Sequence, residues 1–203
     1  MIRSLALLFF TTLYSFAQYQ KLDAPINAEG RTLSFHVFHL NDTKNTLKVH
    51  TSPATLDQPL DPQKHLAAVA LGSISSSQSF SLSINNGTPR ISQKSAASPA
   101  IRIGPQLLKS SKPIAQLDND KRARRTFILH DGGNQWAIGY APSISLKQLA
   151  IALAHVSKNG PIPYTVAYQL NDGSHSSIWI RNEDYHPLYL KELQKPRAAL
   201  SVQ

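Results

Sequence analysis

The sequence predicts an α+β protein, in which a mixed or antiparallel sheet made of hairpins carries one principal helix at about residues 145–158. Three observations support this prediction. Short segments that alternate apolar and polar residues recur along the chain, with turn residues between them. A single segment has the 3.6-residue apolar period of a helix that covers a sheet face. The chain has 203 residues, which is enough to bury the core of one domain.

The first 30 residues are expected to lie outside this domain. Residues 1–17 combine a basic start at Arg3 with a short apolar body and a small-residue ending, the pattern of a secretory signal peptide. Residues 18–30 are polar and have no period, and we interpret them as an extended N-terminal arm. One domain is then expected to span residues 31–203. The mature protein is expected to be secreted or periplasmic, without a transmembrane anchor after cleavage.

The first predicted hairpin joins residues 31–40, which alternate apolar and polar side chains, to residues 46–50. His36 and His39 lie in this hairpin, but residues three apart on a strand face opposite sides of the sheet. We therefore expect no metal site here. Residues 51–64 contain three prolines, which favours a surface loop.

Two further hairpins follow. In the first, residues 80–92 turn at Asn86-Gly87, a pair that tolerates the positive φ angles of a tight turn. In the second, residues 125–130 and 135–140 flank the turn sequence DGGN. Between the two hairpins, Gly104-Pro105 interrupts an apolar strand and predicts a sharp bend.

The predicted helix has start and stop signals as well as a period. Ser145 can cap it, and Gln148 three residues later completes a capping box. Lys158 lies near its end, and Asn159-Gly160-Pro161 stops it. Its apolar stripe consists of Leu146, Leu149, Ala150, Leu153 and Val156.

The most polar loop of the second half follows residues 165–170 and precedes the apolar run 178–181. It concentrates a carboxylate, an imidazole and hydroxyls around a glycine, in the order Asp172, Gly173, Ser174, His175, Ser176. A turn rich in small residues can direct several donors at an oxyanion such as a phosphate. The alternative is a hairpin turn whose Asp and Ser only satisfy turn amides.

Composition narrows the classes of ligand. The absence of cysteine excludes disulfides and cysteine-ligated metals, and no cofactor is expected. The net charge of +9 describes a basic protein, which in an exported setting suits phosphate-bearing glycans or an ordinary solvated surface. The dense basic run Lys121–Arg125 has no interleaved aromatic residues, so nucleic acid is not an expected partner.

Three segments resemble motifs of the phosphodiester glycosidase domain family, in the family's order. Gly104-Pro105 with Leu107 resembles the first motif, and Arg125 with Ile128 resembles the second. The third is formed by Leu170, Asp172, Gly173 and Ser176, with Asn171 as an inserted residue. The resemblance covers about residues 75–203. The family's earlier NGGFF element has no counterpart in residues 66–77, which leaves part of its pocket without an equivalent.

The resemblance implies a hydrolase that acts on a sugar phosphodiester, with Asp172 as the acid/base or sugar-orienting carboxylate. Arg125 is then the phosphate partner, because a guanidinium can bind two oxygens at once. The expected substrate-binding residues are Gly104, His130, Asp131, Gly173, Ser174, His175 and Ser176.

Other interpretations of the same residues stay open. Arg125 can be a strand-end charge paired with an acidic neighbour, and His130-Asp131 can be a turn-forming pair. The whole chain can be a catalytically degenerate protein of the envelope that binds anionic glycan, or a purely structural one.

Overall fold

A computed structural model describes residues 19–27, 30–41, 44–72, 80–93, 101–160, 162–181 and 187–203. The predicted signal peptide lies outside these residues. The α+β prediction is wrong, because strands make up 51% of the structure and helix 11%, so that the protein is mostly β. The sequence underestimates the share of strand because several short strands lack a clear alternation of apolar and polar residues. Examples are Tyr19–Pro25 and Ala67–Leu71. Main-chain pairing makes both segments strands, but their side chains show no two-residue period.

The described strands, in chain order, are β1 (Tyr19–Pro25), β2 (Thr32–Asn41), β3 (Leu47–Thr51), β4 (Ala67–Leu71), β5 (Phe80–Asn85), β6 (Thr88–Ser92), β7 (Ile101–Ile103), β8 (Gln106–Lys109), β9 (Lys112–Pro113), β10 (Ala123–His130), β11 (Gln135–Ile144), β12 (Val166–Asp172), β13 (Ile178–Ile180), β14 (Leu188–Leu190) and β15 (Ala198–Val202). Helix α1 (Leu146–Asn159) follows β11, and a 3₁₀ turn (Gly173–His175) follows β12. No helix in this described part of the chain has the length and hydrophobicity needed to cross a bilayer.

These strands form three antiparallel sheets. The first sheet has the order β1-β2-β11-β10-β12-β8-β9 and curls into a half-barrel. The second has the order β14-β13-β4-β15-β3, and the third is β6-β5-β7. The strand β10 lies in the middle of the first sheet, and its neighbour β12 leads from there into the second sheet.

The core lies on both faces of the first sheet. Phe127 and Leu129 of β10 are buried in a cluster with α1, whereas Ile128 is buried in a cluster shared with the second and third sheets. This alternation is the expected consequence of a strand that is covered on both sides. The predicted helix is confirmed, together with its capping box: Gln148 N–H donates to Ser145 Oγ at 3.2 Å, and Ser145 N–H donates to Gln148 Oε1 at 3.4 Å.

The local hairpins are confirmed, but the first predicted hairpin is wrong. β5 and β6 pair around Asn86-Gly87, and β10 pairs with β11. In contrast, β2 pairs with β1 and β11, while β3 pairs with β15 in the second sheet. The polar loop after β12 is no hairpin turn either, because β12 belongs to the first sheet and β13 to the second. The loop therefore connects two sheets.

Candidate functional site

The candidate site lies where β12 leaves the first sheet. Its loop is held by main-chain contacts with a later segment, since the N–H groups of Leu193 and Gln194 donate to Ser174 O at 2.7 and 3.0 Å. His175 Nδ1 lies 2.8 Å from Lys195 O, which anchors the imidazole to the same segment. Gly173 has φ +72, a backbone conformation that favours glycine, and it starts the turn.

A bulge in β12 brings Asp172 opposite Arg125. Thr126 pairs with Asn171 and Phe127 with Gln169, so Leu170 is the extra residue of the strand. The resemblance to the third family motif takes Asn171 as the inserted residue of this segment. The structure has the extra residue one position before Asn171.

The Asp172 carboxylate lies between a buried and an exposed cation. Its Oδ2 is 3.8 Å from Arg125 Nη1 and 3.7 Å from Lys121 Nζ. The Asp172 side chain is 37% exposed and that of Lys121 is 69% exposed. A molecule from solvent can therefore reach the carboxylate from the side of Lys121.

Arg125 contacts Asp172 from the interior. Its side chain is 1% exposed, and its three nitrogens donate to Ile144 O (2.9 Å), Gln169 Oε1 (3.0 Å) and Lys121 O (2.9 Å). Burial lowers the pKa of Arg125, whereas Asp172 and Asp118 act in the opposite direction. The guanidinium stays charged and holds the Asp172 carboxylate from the protein interior.

The other face of the same strand end carries polar groups that sequence reasoning missed. Asn171 Nδ2 and Ser177 Oγ are buried and have no hydrogen-bond partner. Gly72 packs directly against Asn171, since a Cβ on this glycine would lie 1.8 Å from Asn171 Oδ1. Thr126 Oγ1 donates to Ala70 O at 2.9 Å, which connects the two sheets. The sequence signal for Asn171 is that it and Gln169 are polar residues within the otherwise apolar pattern of β12.

Ser176 belongs to the inner wall of the site. It is fully buried, and its Oγ donates to Arg124 O at 3.3 Å. Arg124 in turn donates from Nη1 to Lys191 O at 2.9 Å. The Ser176 hydroxyl therefore binds the main chain of β10 in this structure, next to the Arg125–Asp172 pair.

The remaining predicted site residues are not at this end of β12. Gly104 is buried, and its N–H donates to Gln169 O at 2.8 Å, so it packs against the side of β12. His130 and Asp131 lie at the opposite end of β10, five residues from Arg125, or about 17 Å along a strand. There Asp131 Oδ1 accepts from the N–H of Gly133 at 2.7 Å and from the N–H of Gln135, the first residue of β11, at 3.1 Å.

The candidate residues thus form two separate groups, one around Asp172 and one around His130. Within the described ranges, no cluster of three or more His, Asp or Glu side chains is arranged to hold a metal ion.

This fold is found in solved structures. The catalytic domain of zebrafish N-acetylglucosamine-1-phosphodiester α-N-acetylglucosaminidase, auto-inhibited by its pro-peptide, matches with a TM-score of 0.61 and 11% identity, over 94% of this chain and 85% of that chain. A hypothetical protein from Synechocystis matches with a TM-score of 0.65 and 10% identity, over 91% of this chain and 61% of that chain. At such identities the similarity concerns the fold. The sequence matches no family model and no curated protein.

Proposed function

We propose that this protein is an exported hydrolase of the phosphodiester glycosidase type, which releases a sugar from a sugar phosphodiester. The observation that carries the proposal is the Asp172 carboxylate, which is open to solvent and fixed between Arg125 and Lys121 at the end of β12. The fold shared with a phosphodiester glycosidase supports this choice of reaction type. The pattern of residues 1–17 supports export.

In this reaction Asp172 takes the proton of the attacking water. The water oxygen forms the new bond to the anomeric carbon, the bond from that carbon to the phosphodiester oxygen breaks, and a phosphate monoester leaves. Lys121 compensates the negative charge of the phosphate, because its ammonium is exposed beside the carboxylate. Arg125 holds Asp172 in place from the interior and is a positioning residue in this scheme.

Hydrolysis of a synthetic sugar 1-phosphodiester by the full chain tests the proposal, with free sugar as the product measured. Asp172→Asn is expected to lower kcat/KM by about 100-fold or more, since it removes the acid/base group. Asp120→Asn is the matched control, because it changes an exposed carboxylate in the loop before β10. Equal turnover by the wild type and the Asp172→Asn variant would remove Asp172 from the mechanism.

A second candidate function is binding of anionic glycan without cleavage. It is favoured over hydrolysis because all three Arg125 nitrogens donate to protein acceptors and so stabilise no leaving phosphate. The exposed Lys121 ammonium can still attract an anionic glycan. This function predicts saturable affinity for a phosphate-bearing glycan with no release of sugar. Its test is a binding titration that uses the same phosphodiester substrates, in which free sugar is measured in parallel.

A further inference from the structure

A separate cavity lies between the β5–β6 hairpin and the face of the first sheet. Its volume is about 380 Å³. This is within the size range of about 300–1,000 Å³ that small-molecule sites have. The cavity is about 17 Å from the Asp172 site along β10, so one small substrate cannot occupy both. Its described lining consists of Pro89, Arg90, Ile91, His130, Trp136, Val166 and Tyr168.

Aromatic contacts hold the walls of this cavity in place. The His130 ring stacks on the Trp136 indole with 3.9 Å between the ring centroids. Tyr168 meets Phe80 edge to face, with 4.7 Å between their centroids. With the side chains of Pro89 and its apolar neighbours, these rings give the cavity a preformed apolar wall.

Two polar side chains of the lining, Arg90 and His130, favour a ligand that carries both a negative charge and a hydroxyl group. Arg90 is exposed and is the cation of the described lining. The described lining contains no carboxylate, although the Asp131 carboxylate lies just outside it, with Oδ1 3.8 Å from His130 Nε2. His130 Nε2 lies 3.0 Å from Gly133 O. A carbonyl oxygen only accepts, so Nε2 of the neutral ring carries the proton and Nδ1 is an acceptor. Among the described residues, none donates to this Nδ1.

We propose that this cavity binds one acidic sugar unit. The acidic group, a carboxylate or a phosphate, pairs with Arg90. A sugar hydroxyl donates to His130 Nδ1, and the C–H face of the ring packs on the wall of Trp136, Pro89 and Ile91. A neutral sugar leaves Arg90 without a partner, and an apolar ligand also leaves Nδ1 without a donor. The inference goes beyond the proposed function, because no step of it involves Asp172.

The two indole N–H resonances in an NMR titration of the full chain test this site. The protein has two tryptophans, of which Trp136 lines the cavity and Trp179 packs in a separate cluster. Glucuronate and glucose 6-phosphate are the acidic probes, and glucose is the neutral control. At least one acidic probe is expected to shift the Trp136 resonance saturably and leave Trp179 unmoved. Glucose is expected to bind about tenfold more weakly or worse.

Arginine variants separate this site from a general attraction of anions to a basic surface. Arg90→Gln is expected to weaken binding by about tenfold, whereas Arg102→Gln, an exposed arginine on β7, is expected to have no effect. Asp172→Asn is expected to bind the probe unchanged, whether or not it hydrolyses a phosphodiester. The proposal is overturned if neither acidic probe shifts Trp136, if Arg90→Gln binds like the wild type, or if both arginine variants lose affinity equally.

Discussion

Arg125 combines a permanent charge with complete burial, and this combination is tolerated because every guanidinium nitrogen has an acceptor. Arg125→Ala would leave three acceptors unpaired and a large cavity. We expect it to lower the free energy of unfolding by about 3 kcal/mol or more. Urea denaturation followed by circular dichroism measures this loss.

The volume of Arg125 and its hydrogen bonds can be separated. Arg125→Met keeps most of the volume and is expected to give an intermediate loss, since only the hydrogen bonds and the ion pair disappear. Arg122→Ala is the control on the protein surface and is expected to change stability by about 0.5 kcal/mol or less. A stability of Arg125→Ala equal to that of the wild type would mean that the buried network contributes nothing.

His39 makes the stability of the protein depend on pH. Its Nδ1 lies 2.5 Å from Tyr164 Oη and its Nε2 lies 3.2 Å from Gln20 Oε1. An amide oxygen only accepts, so Nε2 donates to Gln20, and in the neutral ring Nδ1 accepts from Tyr164. Burial lowers the pKa of His39 to about 4 and raises the pKa of Tyr164, whose hydroxyl stays protonated.

The sign of this dependence follows from the two pKa values of His39. Between pH 6.5 and 4 the unfolded chain binds a proton at this residue that the folded protein does not. The free energy of unfolding should therefore decrease as the pH is lowered from 6.5 to 4, by about 3 kcal/mol in total. His39→Gln is expected to reduce the slope of unfolding free energy against pH between 6.5 and 4, whereas His155→Gln, on the exposed face of α1, should not. Identical slopes in the wild type and His39→Gln would contradict this account.

At the scale of elements, α1 depends on its first turn. Ser145 is fully buried, accepts from Gln148 N–H and also lies 3.0 Å from Asn119 Oδ1. Ser145→Ala is expected to cost about 1–2 kcal/mol, because it exposes an unpaired N–H at the helix start. Thermal unfolding by circular dichroism measures the cost. Ser143→Ala, an exposed serine on the same approach, should unfold like the wild type. A normal melting curve for Ser145→Ala would show that packing alone fixes the helix.

The elements that the sequence predicts correctly are those whose signal is local. The capping box of α1 and the Asn86-Gly87 turn each lie within a few residues, so their physics can be read directly. The pairing of β3 with β15 joins residues about 150 positions apart, and no local pattern specifies it. Strands as short as β9 and β13 also bury too few residues to show a period. For this reason the sequence pattern underestimates the share of strand in the protein.

The candidate site also has one part that local sequence predicts and one part that depends on long-range contacts. The polar loop with Asp172 stands out in the sequence, because a carboxylate, an imidazole and hydroxyl groups directly follow an apolar strand. The bulge at Leu170 places Asp172 opposite Arg125. The Arg125 nitrogens are directed inward because they donate to acceptors on Ile144 and Gln169. These contacts come from three different strands, so only the folded chain reveals them.

For the whole molecule, the sheets share one core, and we expect them to unfold together. One buried cluster contains Ile128 and Trp136 of the first sheet, Val69 and Leu200 of the second, and Leu82 of the third. A shared core makes the partial exposure of one sheet costly for the others.

Single-tryptophan variants test this, since Trp136 lies in the first sheet and Trp179 in the second. Trp179→Phe leaves a reporter for the first sheet, and Trp136→Phe leaves one for the second. Within each variant, we expect the fluorescence of the remaining tryptophan and the far-ultraviolet circular dichroism to change at the same urea concentration. The comparison is made inside each variant, so any loss of stability from the substitution itself cancels. Two separated midpoints in either variant would instead mean that the sheets are independent folding units, and that the polar loop after β12 connects them without coupling them.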